Sequence, residues 1–115
     1  MGIQIFGTKK CNKTAKAVRF FKERNIPVHI VDLAEKGISK GELTKVIQSA
    51  GVEGLIDETS KEFLKRGMGY MDFDPFEEIL ETPLILNTPV IRRGNKAVFG
   101  ENQTEWKKMA AEEKK

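Results

Sequence analysis

The sequence contains one cysteine and one histidine among its 115 residues. A single cysteine cannot form a disulfide within the chain, so it excludes a Cys-x-x-Cys redox pair and a cysteine-rich zinc site. One histidine beside one cysteine is also too few ligands for a zinc site built from this chain alone, and we expect no metal. All thiol chemistry therefore depends on Cys11, and the low cysteine content suits a reducing compartment.

Long apolar runs are missing as well. The longest uninterrupted apolar stretches, such as residues 84–86, span only a few positions, whereas a transmembrane helix needs about 20. The N-terminus runs directly into a strand-like pattern and has no basic-then-apolar leader of the secretory type. These absences predict a cytoplasmic protein without a membrane partner.

Charge of one sign is not concentrated anywhere in the chain. Lys and Arg number 20 against 17 for Asp and Glu, and the two signs are interleaved. Without a block of like charges, the small positive excess does not point to a nucleic-acid partner. The hydrophobic share of 39% is that of an ordinary soluble domain, so the composition predicts one domain over residues 1–115 and excludes a disordered or fibrous chain.

The first third of the chain alternates between strand and helix patterns. Residues 3–6 form a short apolar run closed by Gly7, and a second β-rich run, Val28–Asp32, follows Pro27. Between the two runs, the core-facing positions recur at the helical spacing i, i+3, i+4, i+7. These positions are Thr14, Ala17, Val18 and Phe21. Strand, helix and strand within about 30 residues predict a right-handed, parallel βαβ unit.

The middle of the chain carries three helix-start signatures and no strand pattern. The first two pair a hydroxyl residue with a glutamate three positions later, and the third places Pro75 at the first helical position. The predicted N-cap residues are Ser39, Thr59 and Asp74. Residues 67–73 form an apolar connection that we expect to pack on the body of the protein rather than to bind a ligand. The pattern predicts a helical insert at about 39–86.

The last third returns to strands. Residues 89–92 and 96–99 flank Gly94-Asn95, which is typical of a tight hairpin, and Asn102 then begins a closing helix. The order is therefore βαβ, helical insert, ββα. It predicts an α/β fold with a four-stranded mixed sheet and helices on both faces.

Cys11 lies at the N-terminus of the first predicted helix. The free amides of the first turn and the positive end of the helix dipole favour a thiolate there, and Lys9, Lys10 and Lys13 add positive charge. In such settings the pKa of a cysteine falls from about 8.5 to roughly 3.5–7.5. We therefore predict a reactive thiolate. The alternative, a small core cysteine, fits a lysine-rich loop less well.

Thr14 occupies the place where a Cys-x-x-Cys motif would have its second thiol. A threonine can donate a hydrogen bond to the thiolate but cannot resolve a mixed disulfide, so turnover would require an external thiol. A purely structural role, as an inward-facing residue of the first helical turn, explains Thr14 equally well. His29 lies in a predicted strand with nothing to pair it with Cys11, so we expect a structural or surface histidine rather than a general base.

These elements and motifs resemble the ArsC/Spx family of thioredoxin-fold proteins over essentially the whole chain. Three stretches carry the resemblance: residues 5–7 leading to Cys11, residues 26–28 leading to Asp32, and residues 84–92 leading to Gly100. The resemblance implies a thioredoxin-like fold in which Pro89 is cis and lies against the Cys11 loop. It also implies that Thr88 and Pro89 line the site and supply backbone hydrogen bonds to a bound thiol compound.

The sequence departs from the family at the arginines. Glutathione-linked arsenate reductases of the family hold the arsenic oxyanion with three arginines, and the corresponding positions here are Thr88, Asp57 and a site near residues 98–100 that has no arginine. Each lost charge-assisted contact removes roughly 1.5–3 kcal/mol. Arg92 and Arg93 are the nearest substitutes, but strand alternation puts them on opposite faces. Arsenate reduction is therefore disfavoured.

We predict a monothiol oxidoreductase that forms a mixed disulfide at Cys11 with glutathione or a protein thiol. No bound cofactor is expected, although glutathione is a candidate co-substrate. Two alternatives stay open: an Spx-like adaptor that binds RNA polymerase, whose Cys-x-x-Cys switch is missing here, and a glutathione-dependent arsenate reductase. The predicted thiolate-stabilising residues are Lys10, Lys13 and Thr14. The predicted substrate or glutathione contacts are Lys9, Asn12, Thr88, Pro89 and Arg92.

Overall fold

Four strands form one mixed sheet in the computed structural model, which describes residues 2–114. Strands β1 (Ile3–Gly7) and β2 (Val28–Asp32) are parallel and are connected by helix α1 (Asn12–Glu23). Strand β3 (Val90–Arg93) runs antiparallel to β1, and β4 (Lys96–Phe99) runs antiparallel to β3. The spatial order is β2-β1-β3-β4, which confirms the predicted βαβ unit, hairpin and mixed sheet.

The three α-helices of the insert cover one face of this sheet. They are α2 (Lys40–Ala50), α3 (Lys61–Lys65) and α4 (Pro75–Glu81). Their buried side chains meet Phe6 of β1 and Val90 of β3 in one apolar cluster.

The other face is covered by α1 and by the closing helix α5 (Gln103–Glu113). Phe21 and Trp106 are both buried there against Ile5 of the sheet. Ile5 and Phe6 are adjacent in β1 and belong to different clusters, because successive strand side chains point to opposite faces. Helices on both faces are thus confirmed.

The helix caps follow the sequence signatures with one exception. Ser39 and Glu42 form a reciprocal capping box, and Asp74 accepts from the amide of the residue after Pro75. The second insert helix begins one residue later than predicted: Ser60, not Thr59, caps α3. The amide and the hydroxyl of Thr59 both donate to the carboxylate of Asp57, at 2.9 and 2.6 Å. Thr59 therefore belongs to a turn on Asp57, and the next hydroxyl is left to cap the helix.

Over residues 39–86 the insert contains no strand, as predicted, and its β pairing is limited to one bridge. Ile56 and Leu86 form an isolated antiparallel bridge, with the Asp57 amide donating to the Ile85 carbonyl at 2.8 Å and the Asn87 amide donating to the Leu55 carbonyl at 2.7 Å. The bridge ties the insert to the chain immediately before Thr88.

The apolar connection 67–73 packs on the body only in part. Met68 is buried, and Phe73 meets the ring of Phe63 edge-on with 6.4 Å between centroids. Tyr70 is 99% exposed and Met71 is also exposed, so the packing expected for them is not observed. No helix within residues 2–114 has the length and apolar character needed to span a membrane.

Candidate active site

Cys11 is the N-cap residue of α1. Its backbone is extended, its amide donates to the Thr8 carbonyl at 3.2 Å, and its carbonyl accepts from the Ala15 amide at 3.1 Å. The first turn of α1 contains no acidic side chain, and the sulfur is half-buried. The thiol therefore faces the free amides of the helix start while remaining accessible to a reactant.

Thr88 contacts the Cys11 sulfur from the loop that enters β3. Its hydroxyl Oγ1 donates to Cys11 Sγ at 3.1 Å. The Cys11 thiol in turn donates to the Thr88 carbonyl oxygen at 3.8 Å. The Thr88–Pro89 peptide bond is cis, as the family resemblance implied. Pro89 is buried, and its carbonyl accepts from the Gly100 amide at 2.9 Å. The Thr88 backbone and side chain are thus both directed at Cys11.

Hydrogen bonds lower the pKa of Cys11 even though burial opposes them. Burial of the sulfur raises the pKa, but the hydroxyls of Thr14 and Thr88 and the backbone amides of Thr14 and Lys13 outweigh it, so the net pKa is below the usual value. Each of these donors favours the charged form of its acceptor. The site therefore holds more thiolate near neutral pH than a free cysteine does.

The two hydroxyls do not contribute in the same way. Thr14 Oγ1 is close enough to the sulfur to lower the pKa of Cys11, yet it is buried and has no partner at hydrogen-bond geometry anywhere in residues 2–114. Thr88 Oγ1 does reach the sulfur with that geometry. We assign the principal side-chain contact to Thr88 because its hydroxyl has both the distance and the direction of a hydrogen bond to the sulfur.

Two residues that position the site carry no chemistry of their own. A Cβ atom at Gly7 would lie 2.3 Å from Thr14 Oγ1, so only glycine lets the first turn of α1 approach β1 this closely. Asn87 donates from Nδ2 to the Gly54 carbonyl at 3.2 Å and so holds the insert beside Thr88. Neither role was predicted from the sequence. The only local signals were a glycine at a strand end and a polar residue before the Thr-Pro pair.

The lysines near Cys11 are placed at the surface. Lys9, Lys10 and Lys13 are exposed, as is Asn12, and Lys13 reaches the sulfur through its backbone amide. The structure thus brings together Cys11 and the Lys13 amide, while the lysine ammonium groups remain in solvent. Their predicted part in thiolate stabilisation and substrate binding stays a prediction.

Arg92 is not brought to Cys11, contrary to the predicted substrate contact. Its guanidinium donates to Gln4 Oε1 at 3.1 Å and to the Gly94 carbonyl at 3.3 Å. Gln4 is near the start of β1, whereas Cys11 follows the end of that strand. Arg93 pairs with Glu112 and Glu113 of α5 on the opposite face. Neither arginine therefore rebuilds an oxyanion site at the thiol.

The remaining predicted positions also lack an anion-binding group. Asp57 places a carboxylate beside the bridge that leads to Thr88, where it accepts from Thr59. His29 is exposed on β2 and pairs in register with Gln4, again at the far end of the sheet from Cys11. The site thus combines a hydrogen-bonded thiol with neighbouring positions that place no guanidinium group beside it to bind an oxyanion.

Sequence and structure are similar to known proteins over most of their length. The sequence model of the ArsC family matches residues 6–109. A Haemophilus influenzae protein described as uncharacterized is 24% identical over 108 residues, which cover 90% of this chain and 95% of its own. The solved structure of an arsenate reductase from Vibrio cholerae superimposes with a TM-score of 0.78 at 18% identity, over 94% of this chain and 97% of its own.

An ArsC-family-related protein from Bacteroides fragilis superimposes with a TM-score of 0.83 at 16% identity, over 95% of this chain and 98% of its own. At these identities the two structures establish the shared fold. The predicted thioredoxin-like fold is thereby confirmed.

Proposed function

The chain belongs to the ArsC family, and on that premise we propose that it is a monothiol oxidoreductase in which Cys11 exchanges with disulfides. The observation that carries the proposal is the hydrogen bond from Thr88 Oγ1 to the Cys11 sulfur at 3.1 Å. It joins residues 77 positions apart and adds a donor to a sulfur that the first turn of α1 already favours as a thiolate. A half-buried thiolate with fixed donors is suited to nucleophilic attack on sulfur.

The exchange proceeds in two balanced steps. The Cys11 thiolate attacks one sulfur of a disulfide R–S–S–R′, a new S–S bond forms between Cys11 and R–S, and R′–S⁻ leaves and takes a proton from water. A second thiol, R″–SH, from glutathione or a protein, then gives up its proton and attacks the R sulfur of the mixed disulfide. A new R–S–S–R″ bond forms, the bond to Cys11 breaks, and Cys11 leaves as a thiolate. The second thiol is needed because Thr14 stands where a resolving cysteine would be.

Thr88 and the first-turn amides serve both steps. They stabilise the Cys11 thiolate before the attack and again when it leaves the mixed disulfide, since a thiol with a lower pKa is a better leaving group. The Thr88 carbonyl accepts from the Cys11 thiol at 3.8 Å and loses that donor when Cys11 enters the mixed disulfide. A peptide-like thiol bound there would find this carbonyl as an acceptor for its amide.

Arsenate reduction finds no support in the geometry of the site. The fold is that of the Vibrio cholerae arsenate reductase, but the position before Pro89 carries a threonine, and Asp57 would repel an oxyanion. A disulfide carries no oxyanion and needs none of the missing arginines. Thiol–disulfide exchange is therefore the reaction we favour.

A non-enzymatic interaction role is the second candidate, and one observation favours it. Leu64, Tyr70 and Met71 expose large apolar side chains along one segment of the insert, with Tyr70 99% exposed. Surface aromatic and methionine side chains are typical of protein-binding sites. Under this reading Cys11 would have no catalytic part.

Two measurements separate these candidates. The first is the rate of Cys11 alkylation against pH, which we expect to show a midpoint below that of a free cysteine because the pKa is lowered. The second is glutathione-dependent reduction of bis(2-hydroxyethyl) disulfide, with arsenate as a parallel substrate. Wild type should reduce the disulfide, and Cys11→Ser should not. An alkylation midpoint equal to that of a free cysteine, or equal disulfide reduction by wild type and Cys11→Ser, would favour the interaction role over the enzymatic one.

A further inference from the structure

An apolar groove of about 400 Å³ runs between α1 and the outer strand β2. Its apolar lining comes from Ala15 and Val18 of α1 and from Ile30 of β2. Ile30 is 46% exposed, which is high for an isoleucine within a sheet. The groove therefore leaves an apolar surface open at the edge of the protein.

The groove reaches the loop and the first helical turn that hold the nucleophile. Ala15, Val18 and Lys22 line it at i, i+3 and i+7, so they follow one stripe along α1. Thr8, which also lines the groove, accepts the Cys11 amide at 3.2 Å. The groove therefore lies directly beside the loop that carries Cys11.

The rim of the groove is basic. Lys9, Arg19 and Lys22 stand on it against a single carboxylate, Asp32. None of the three cations has an ion pair in the part of the chain that the structure describes. The Asp32 carboxylate already accepts the Ala34 amide at 2.9 Å. The rim is thus complementary to a ligand that combines an apolar group with negative charge.

The shape of the site favours an extended peptide. Strand β2 is the last strand of the sheet, so its outer backbone groups face away from every other strand among residues 2–114 and can accept a further strand. A strand added at this edge would direct alternate side chains towards the groove. Glutathione, by contrast, has no apolar side chain to fill it.

We propose that the groove binds an extended acidic segment of the protein whose disulfide reacts with Cys11, with an apolar side chain against Val18 and Ile30 and carboxylates against Lys9, Arg19 and Lys22. This inference rests on the proposed thiol–disulfide exchange and names its substrate class. The exchange is the one written above, with R–S on the peptide and R′–S⁻ as the leaving thiolate.

Two matched peptides test the groove. Each carries a leucine and one cysteine joined by a disulfide to 2-thio-5-nitrobenzoate, whose release is followed by absorbance. One peptide has aspartates and glutamates around the leucine, and the other has lysines at the same places. For wild type, the second-order rate constant of the acidic peptide should exceed that of the basic peptide by roughly tenfold, as expected for two or three exposed ion pairs.

Charge reversal locates the effect. In the Arg19→Glu/Lys22→Glu variant, the ratio of acidic to basic rate constants should fall to about one or below. The control Lys45→Glu/Lys61→Glu makes the same change in net charge on exposed lysines of α2 and α3, and its ratio should stay close to that of wild type. Equal ratios for the two double variants, or no preference in wild type, would overturn the inference.

A binding measurement separates this inference from the proposed function. The acidic peptide with serine in place of its cysteine cannot react, so its fluorescence anisotropy reports the groove alone. Binding should be weakened by Arg19→Glu/Lys22→Glu and by Ile30→Asp, and retained in Cys11→Ser. Binding that survives both groove changes refutes the groove even if Cys11 is reactive. An unreactive Cys11 with groove-dependent binding refutes only the exchange reaction.

Discussion

Replacement of Thr88 by valine tests the hydrogen bond on which the proposed chemistry rests. Valine keeps the shape of threonine and removes the hydroxyl that lies 3.1 Å from the Cys11 sulfur. Hydrogen bonds to charged groups contribute about 1.5–3 kcal/mol when they are well shielded. The Cys11 sulfur is half-buried, so we take about 1 kcal/mol, which is a factor of roughly five in the thiolate population at a pH below the pKa.

Part of that loss is offset in the reaction rate. The thiolate that remains in Thr88→Val is more basic and therefore more nucleophilic, with a Brønsted coefficient of about 0.4–0.5. A roughly fivefold loss of thiolate then becomes a two- to threefold loss of alkylation rate at a pH below the pKa of both proteins. At a pH where both proteins are fully ionised, the variant should alkylate about twofold faster than wild type. The two pH profiles should cross.

The assay is alkylation by iodoacetamide across the pH range, with intact-mass detection of modified Cys11. Thr88→Ser keeps a hydroxyl and should restore the wild-type profile. Thr104→Val makes the same chemical change on the exposed side of α5 and should have no effect. Superimposable profiles for wild type and Thr88→Val would refute the argument, as would an equal loss in Thr104→Val.

Three further predictions address the surroundings of the site. Gly7→Ala should destabilise the protein by roughly 1–3 kcal/mol in urea unfolding, because its Cβ would overlap Thr14 Oγ1. Gly41→Ala, a helical position with nothing within 4 Å of the new Cβ, should be neutral or stabilising by up to about 1 kcal/mol; a loss as large as that of Gly7→Ala would contradict the steric explanation. Arg92→Met should change the alkylation rate of Cys11 by less than about twofold, since the guanidinium is bound near the start of β1. A tenfold loss of rate would show that Arg92 does act on Cys11. Asn87→Ala should lower the free energy of unfolding by about 1 kcal/mol through the lost bond to the insert, and an unchanged urea midpoint would show that the bond is not needed.

The features that the sequence predicted correctly are those set by local interactions. Ser39 with Glu42, and Asp74 with Pro75, fix helix starts through contacts within four residues, so spacing alone reveals them. The start of α3 was missed by one residue because two adjacent hydroxyls compete, and Asp57 decides the competition by binding Thr59. The N-cap sequence pattern carries no information about the Asp57 turn that immediately precedes the helix.

The site was harder to predict because its decisive contacts are remote in sequence. The family resemblance placed Thr88 near Cys11, but no spacing could show that the hydroxyl donates to the sulfur. Strand alternation correctly put Arg92 and Arg93 on opposite faces, yet it says nothing about position along the strand. The register of Arg92 with Gln4 decides that position, and it takes Arg92 away from the thiol.

The structure separates activation of the thiol from recognition of its substrate, and the two should respond differently to salt. Burial raises the pKa of Cys11, and the contacts that lower it are all hydrogen bonds from hydroxyls and amides, which act at short range and are little affected by ionic strength. The exposed lysines instead act on charged reactants through solvent, where 0.1 M salt screens charges beyond about 10 Å. Salt should therefore leave the reaction of Cys11 with a neutral disulfide nearly unchanged and slow its reaction with an acidic peptide disulfide. If salt slowed both reactions equally, the lysines would have to stabilise the thiolate itself. The Thr88 hydrogen bond would then account for less of the lowered pKa of Cys11.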